Sequence, residues 1–184
     1  MPRQPLAEFT NLAAVHLKVD TKFAAITELR GEHIQCRSGC HSCCLPNLTV
    51  ASIEAAQIRQ YFVQNPSALA AAVEVAHTDP HAGLRCHFLD AAGACIVYPV
   101  RPALCRAHGV PAWVQADAQS EPQVDVCPLN FQGVDLTTLP DDRIDVDTLN
   151  TLVFMVGELW QRDSSRRRVG LSLKALRISR RGAL

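Results

Sequence analysis

The chain has 184 residues, 48% of them hydrophobic, and its 18 basic residues are balanced by 18 acidic ones. That is enough apolar material for a domain that folds alone, while the neutral balance supplies no global field to recruit nucleic acid or an acidic membrane. The opening Met1-Pro2-Arg3-Gln4-Pro5 leads into an amphipathic stretch with no apolar run suited to a signal sequence or a membrane span, so the expected compartment is the cytoplasm.

Leu6, Phe9, Leu12, Ala13 and Leu17, then Phe23, Ile26, Leu29 and Arg30, recur at helical spacing, and Asp20 with Thr21 can cap a restart. This predicts two helices or one bent helix. Cys36 to Pro46 holds Ser38, Gly39 and four cysteines and reads as a turn-rich loop, with room for helical portions. Val50, Ile53, Ile58, Tyr61 and Phe62 predict a helix beyond it. Asn65-Pro66-Ser67 ends that helix and starts another through Val75, and Asp79-Pro80 closes the stretch. Cys86-His87-Phe88-Leu89 and Cys95-Ile96-Val97-Tyr98 flank Asp90-Ala91-Ala92-Gly93, the signal of a short hairpin.

A helical turn beginning at Pro102 is expected to carry Cys105 and Arg106, and Ala116 to Pro140, with Cys127 inside it, reads as irregular. Asp147 can then cap a helix with Leu149, Leu152, Val153, Val156, Leu159 and Trp160 on one face. From Arg162 onward eight basic residues stand against Asp163 alone, and the apolar residues keep neither period. The expected fold is mainly α with a small β-hairpin and irregular cysteine-rich loops packed on helices. It forms one domain over residues 1–161, followed by a basic tail or extension over residues 162–184.

The chemistry lies in the cysteines. Cys36, Cys40, Cys43 and Cys44 fall within nine residues, and Cys86, Cys95, Cys105 and Cys127 follow in later elements. In a reducing compartment eight cysteines are not expected to form structural disulfides. Thiolates this close repel one another unless a cation neutralises them, and zinc or iron gains from several sulfur ligands at about 2.3 Å. All eight are therefore expected as metal ligands gathered in one region. A helical Cys36–Cys44 segment would put its thiols on one face but separate the ends by about 12 Å. Either Gly39 folds the loop back or the cysteines divide between sites. Two tetrahedral zinc sites would use all eight thiols, whereas one four-iron, four-sulfur cluster would use four.

The nine-residue cluster, then Cys86 and Cys95, Tyr98-Pro99-Val100-Arg101-Pro102 and Cys105-Arg106, resembles the YkgJ-type cysteine-cluster family over roughly Cys36 to Cys127. The resemblance implies a zinc- or iron-chelating domain. The family opening is Cys-x2-Cys-x2-Cys-Cys, whereas three residues separate Cys36 from Cys40 here. Cys36-x3-Cys40-x2-Cys43 also has the spacing of radical S-adenosylmethionine enzymes, and Cys40-His41-Ser42-Cys43 that of a thiol redox pair. The short, mainly helical chain lacks the repeated strand-helix context of the first and the strand-helix-strand context of the second.

Arg101 and Arg106 flank Cys105 and can offset the negative charge that four thiolates leave on a metal centre. His41, His87 and His108 lie near cysteines and can replace a thiolate or donate to sulfur, although eight thiols already suffice. Glu54 reads as a capping or solvated charge, and Tyr98-Pro99 as a packed turn. Asp141, Asp142, Asp145 and Asp147 lack the glycine and terminal glutamate of a calcium-binding hand. The C-terminal arginines lack the interleaved aromatics of a nucleic-acid surface. No phosphate loop or catalytic triad stands out. The function expected is binding of a metal ion, in a structural or metal-carrying role. The rival is an iron-sulfur redox or protein-modifying component that acts on another protein.

Overall fold

Residues 9–37, 39–81, 83–115, 119–139, 142–161, 168–179 and 182–183 are described by the computed structural model. The chain divides into two compact units, each discontinuous in sequence: Met1–Arg37 with Pro102–Met155, and Ser38–Arg101 with Val156–Leu184. Helices dominate, and the described strands are short. No described helix is long and apolar enough to cross a membrane.

In the first unit, α1 (Thr10–Arg30) is a single helix. Of the two helices or one bent helix expected, the two-helix alternative with a restart at Asp20 is not adopted: no glycine or proline interrupts the turn, and the Asp20 carboxylate is spent on Arg106, whose Nη1 lies 2.6 Å away. Leu12, Val15, His16, Val19 and Ile26 form the buried stripe, at spacings of three, four and seven residues. Leu17 and Leu29 point to solvent, so the apolar face is rotated from the one expected; Leu6 lies outside the described residues. The one-turn helix α2 (Ala103–Ala107) begins directly after Pro102 and packs on α1.

The stretch expected to be irregular contains a strand. Of β1 to β4 in chain order, β1 (Thr49–Ala51) belongs to the second unit, and β2 (Ala112–Val114) pairs antiparallel with β3 (Gln123–Asp125) and parallel with β4 (Ile144–Asp145). The Arg143 guanidinium lies 3.9 Å from the centroid of the Trp113 ring. Helix α3 (Val146–Trp160) follows β4 directly. Its cap is Asp145 rather than Asp147: the Thr148 amide donates to Asp145 Oδ1 at 2.8 Å, and the Thr148 hydroxyl to Oδ2 at 2.8 Å. Asp147 instead accepts the Gln115 amide at 3.0 Å, and Asp142 pairs with Arg30 at 2.7 Å. Asp141 lies outside the described residues.

The second unit holds α4 (Ser52–Gln64) and α5 (Pro66–Thr78), split at the expected place. Glu54 is buried and accepts the Ala51 amide at 2.9 Å, so the capping role is the one it fills. Pro66 starts α5 at a position where its missing N–H costs nothing. Ile58 and Phe62 of α4 are fully buried with Ala72, Phe88 and Val97, beside the buried Leu69, at about 1.5–3 kcal/mol for each large side chain. The expected hairpin is a tight turn with one antiparallel bridge, Leu89 to Cys95, and an Ile96 amide donating to Phe88 O at 2.8 Å.

Within the segment expected as a basic tail or extension, β5 (Arg168–Gly170) pairs antiparallel with β1, and Leu171, Leu176 and Ile178 join the same core. Strands β6 (Ile178–Ser179) and β7 (Gly182–Ala183) pair with each other. Arg166, Arg167, Arg180 and Arg181 lie outside the described residues.

Candidate metal centre

Gly39 decides the shape of the cysteine loop. Its φ of +82° is closed to a helix, and beyond it the Cys44 amide donates to His41 O at 2.8 Å and the Leu45 amide to Cys43 O at 3.0 Å. The helical form of the cluster is therefore not adopted; Cys40 to Cys44 lie on successive tight turns.

Three contacts seat this loop in the second unit. Cys86 donates its amide to Cys44 O at 2.8 Å. A Cβ on Gly93, whose φ is +79°, would stand 2.6 Å from His41 Cδ2 and 3.1 Å from Gly39 O, so only glycine allows the approach. A Cβ on Gly39 would lie 3.3 Å from Ala92 O. The turn that receives the loop is held by Asp90, whose carboxylate accepts the Ala92 and Ala94 amides at 2.9 and 2.8 Å. The imidazole of His41 thus packs on the Gly93 turn.

The sulfurs brought together are those of Cys43, Cys44, Cys86 and Cys95, and their chemistry records the proximity. The Cys44 thiol is driven far above its ordinary pKa by a hydrogen bond with Cys43, then by burial and by the charges that Cys43, Cys86 and Cys95 would carry. Burial is the main cause that raises Cys86, and Cys43 adds to it. Cys95 is pushed up to about 11, mainly by burial and further by Cys86; the Val97 amide and the Arg101 guanidinium oppose the rise. Three thiols whose ionisation is this costly, with Cys43 beside them, fit a thiophilic cation, which supplies the missing positive charge. Among the described residues, no three Cys, His, Asp or Glu side chains already enclose a position for an ion.

Arg101 is also stacked on Tyr98, with Cζ 4.0 Å from the ring centroid. Arg106 is buried and paired with Asp20, which ties α2, the helix carrying Cys105, to α1. Cys36, Cys105 and Cys127 belong to the first unit: Cys36 is exposed, Cys105 half-buried on α2 and Cys127 fully buried. All eight cysteines are present as thiols. His87 and His108 are half-buried.

The sequence reading did not single out Asn130, a buried side chain that touches Cys36, nor the part played by Gly93 and Gly109 in close approaches to the cysteine segment and to Cys36. An asparagine shortly after Cys127-Pro128 reads as an ordinary turn residue, so only its burial reveals it.

Residues 35–128 match the family model CxxCxxCC, described as "Putative zinc- or iron-chelating domain". No curated protein and no solved structure matches the chain. The matched residues begin just before Cys36 and end just after Cys127, so they take in every cysteine and more than half of the 184 residues. The chain therefore belongs to the CxxCxxCC family.

Proposed function

We propose that the protein binds zinc or iron through its clustered cysteines, in a structural or metal-carrying role. The observation that carries this reading is that Cys44 lies near enough to Cys43, Cys86 and Cys95 for their charges to raise its thiol pKa, because thiolates that repel one another are ones that a soft cation stabilises. Cys43, Cys44, Cys86 and Cys95 would hold the ion, with Cys40 on the same loop as a further donor. Cys36, Cys105 and Cys127 are the ligands we assign to the first unit. Arg101 offsets negative charge at Cys95, and Arg106 serves Cys105 by fixing α2 through Asp20. When bound, the metal supplies positive charge and a cross-link between loops. Thiol ligation needs a compartment that keeps cysteine reduced, which the cytoplasm provides.

The test is elemental analysis with an absorption spectrum of protein purified without oxygen. Zinc in a colourless sample, or iron in a coloured one, is expected at a fixed ratio to protein. Cys44→Ser and Cys95→Ser should each lower that ratio, because a neutral hydroxyl is a poor soft-metal ligand. Full metal content in both variants, or no metal in the wild type, would overturn the assignment.

A further inference from the structure

Asn130 is 2% exposed, and every hydrogen-bonding group of its carboxamide is committed. Oδ1 accepts the Gln35 amide at 2.8 Å, which fixes the orientation of the group, because a backbone N–H cannot donate to the NH2 end. Of the two Nδ2 hydrogens, one goes to Gly109 O and the other to Cys36 Sγ, with nitrogen and sulfur 3.3 Å apart. The Asn130 amide itself donates to Cys127 O at 2.8 Å, so one residue links the segments bearing two cysteines.

The surroundings of Cys36 Sγ are built to the same end. Gly109 has φ of +115°, and a Cβ there would lie 3.2 Å from Cys36 Sγ, so the sulfur rests against backbone that only glycine leaves open. Cys36 is nevertheless exposed as a residue, which leaves it accessible while Asn130 and Gly109 hold it.

We propose that Asn130 is a positioning residue that presents the Cys36 sulfur to a bound metal through an N–H···S hydrogen bond. This rests on the reading of Cys36 as a metal ligand. A buried carboxamide fixed by two backbone partners has one donor left to aim, and it aims it at sulfur. Such a bond stabilises the thiolate over the thiol and sets the direction of its remaining lone pairs.

A double-mutant cycle tests it, with zinc affinity read by chelator competition on the full chain. Asn130→Ala should weaken binding roughly tenfold, in the range of lost outer partners of metal ligands, and should add nothing in a Cys36→Ser background. The same tenfold loss in both backgrounds would make Asn130 a support of the fold alone and overturn the proposal. Cys36→Ser with wild-type affinity would overturn it by removing Cys36 from the ligands, and a wild type that binds neither zinc nor iron would instead sink the metal reading beneath it. A second measurement needs no variant. In wild-type protein loaded with cadmium-113, the Asn130 side-chain amide proton should show scalar coupling to the metal nucleus through sulfur, and absence of that coupling would overturn the proposal.

Discussion

Arg101 and Arg106 flank Cys105 in the chain, yet they have separate partners. Arg101 opposes the rise in the Cys95 pKa and stacks on Tyr98, whereas Arg106 meets Asp20 at 2.6 Å. Replacing each by glutamine should therefore give different failures. Arg101→Gln removes a positive charge that favours the Cys95 thiolate, so Cys95 should rise above about 11 and metal should leave faster. Arg106→Gln should instead cost stability. The Arg106 side chain is 9% exposed but Asp20 is 38% exposed, so the loss belongs at about 1–2 kcal/mol rather than at the larger figure for a fully buried pair. Asp20→Asn should reproduce most of that loss. Metal-release rates and urea unfolding separate the two outcomes, and equal release from Arg101→Gln and wild type would confine Arg101 to its contact with Tyr98.

Elements that depend on local chemistry were legible from sequence. The break between α4 and α5 was readable because Pro66 can begin a helix and cannot continue one, and the 90–94 turn because Asp90 and Gly93 suit it. Where a side chain is claimed by a distant partner, local reading failed. Asp20 looked like a cap and is half of an ion pair; Asp147 looked like a cap and accepts Gln115, while Asp145 caps α3. Strands of two or three residues, such as β2 and β4, are too short to show an alternation. The grouping of Cys43, Cys44, Cys86 and Cys95 was legible because residue type is itself the chemistry, but Asn130 was not, since its significance is burial. The Asp145 cap can be tested directly. The Thr148 amide is the main cause that holds Asp145 below its ordinary carboxylate value, so its contribution is present above about pH 3.9 and is lost as the pH falls through the lower folded value. Asp145→Ala should cost about 1 kcal/mol at pH 7. That difference from wild type should shrink in strong acid, where the protonated carboxyl loses its charge but keeps an acceptor oxygen, while Asp145→Asn, which caps without titrating, keeps most of the stability at neutral pH. An unchanged gap between wild type and Asp145→Ala across the acid range would show that the carboxylate charge is immaterial to the cap.

At the scale of the whole molecule, the residues beyond 168 belong to the unit that carries Cys43, Cys44, Cys86 and Cys95. Arg168 to Gly170 lie along β1, and Leu171, Leu176 and Ile178 pack with Ile58, Phe62, Phe88 and Val97; Cys86 and Cys95 lie against that same core. Basic composition hid this, because hydrophobic residues set at irregular spacing among arginines follow no helical or strand period while still filling a core. Leu176 is 0% exposed, so Leu176→Ala leaves a cavity and should cost about 2–5 kcal/mol. The same unit is where bound metal should add stability, by about 2.7 kcal/mol at a free concentration one hundred times the dissociation constant. The two effects act on one equilibrium. Leu176→Ala without metal should unfold at a lower temperature, zinc should restore a large part of the loss, and Cys44→Ser should abolish that restoration. Thermal unfolding of wild type, the two single variants and the double variant, each with and without zinc, reads the result. A Leu176→Ala variant as stable as wild type would return residues 168–178 to the status of a tail, and zinc that stabilises Cys44→Ser as well as it does wild type would remove Cys44 from the ligands.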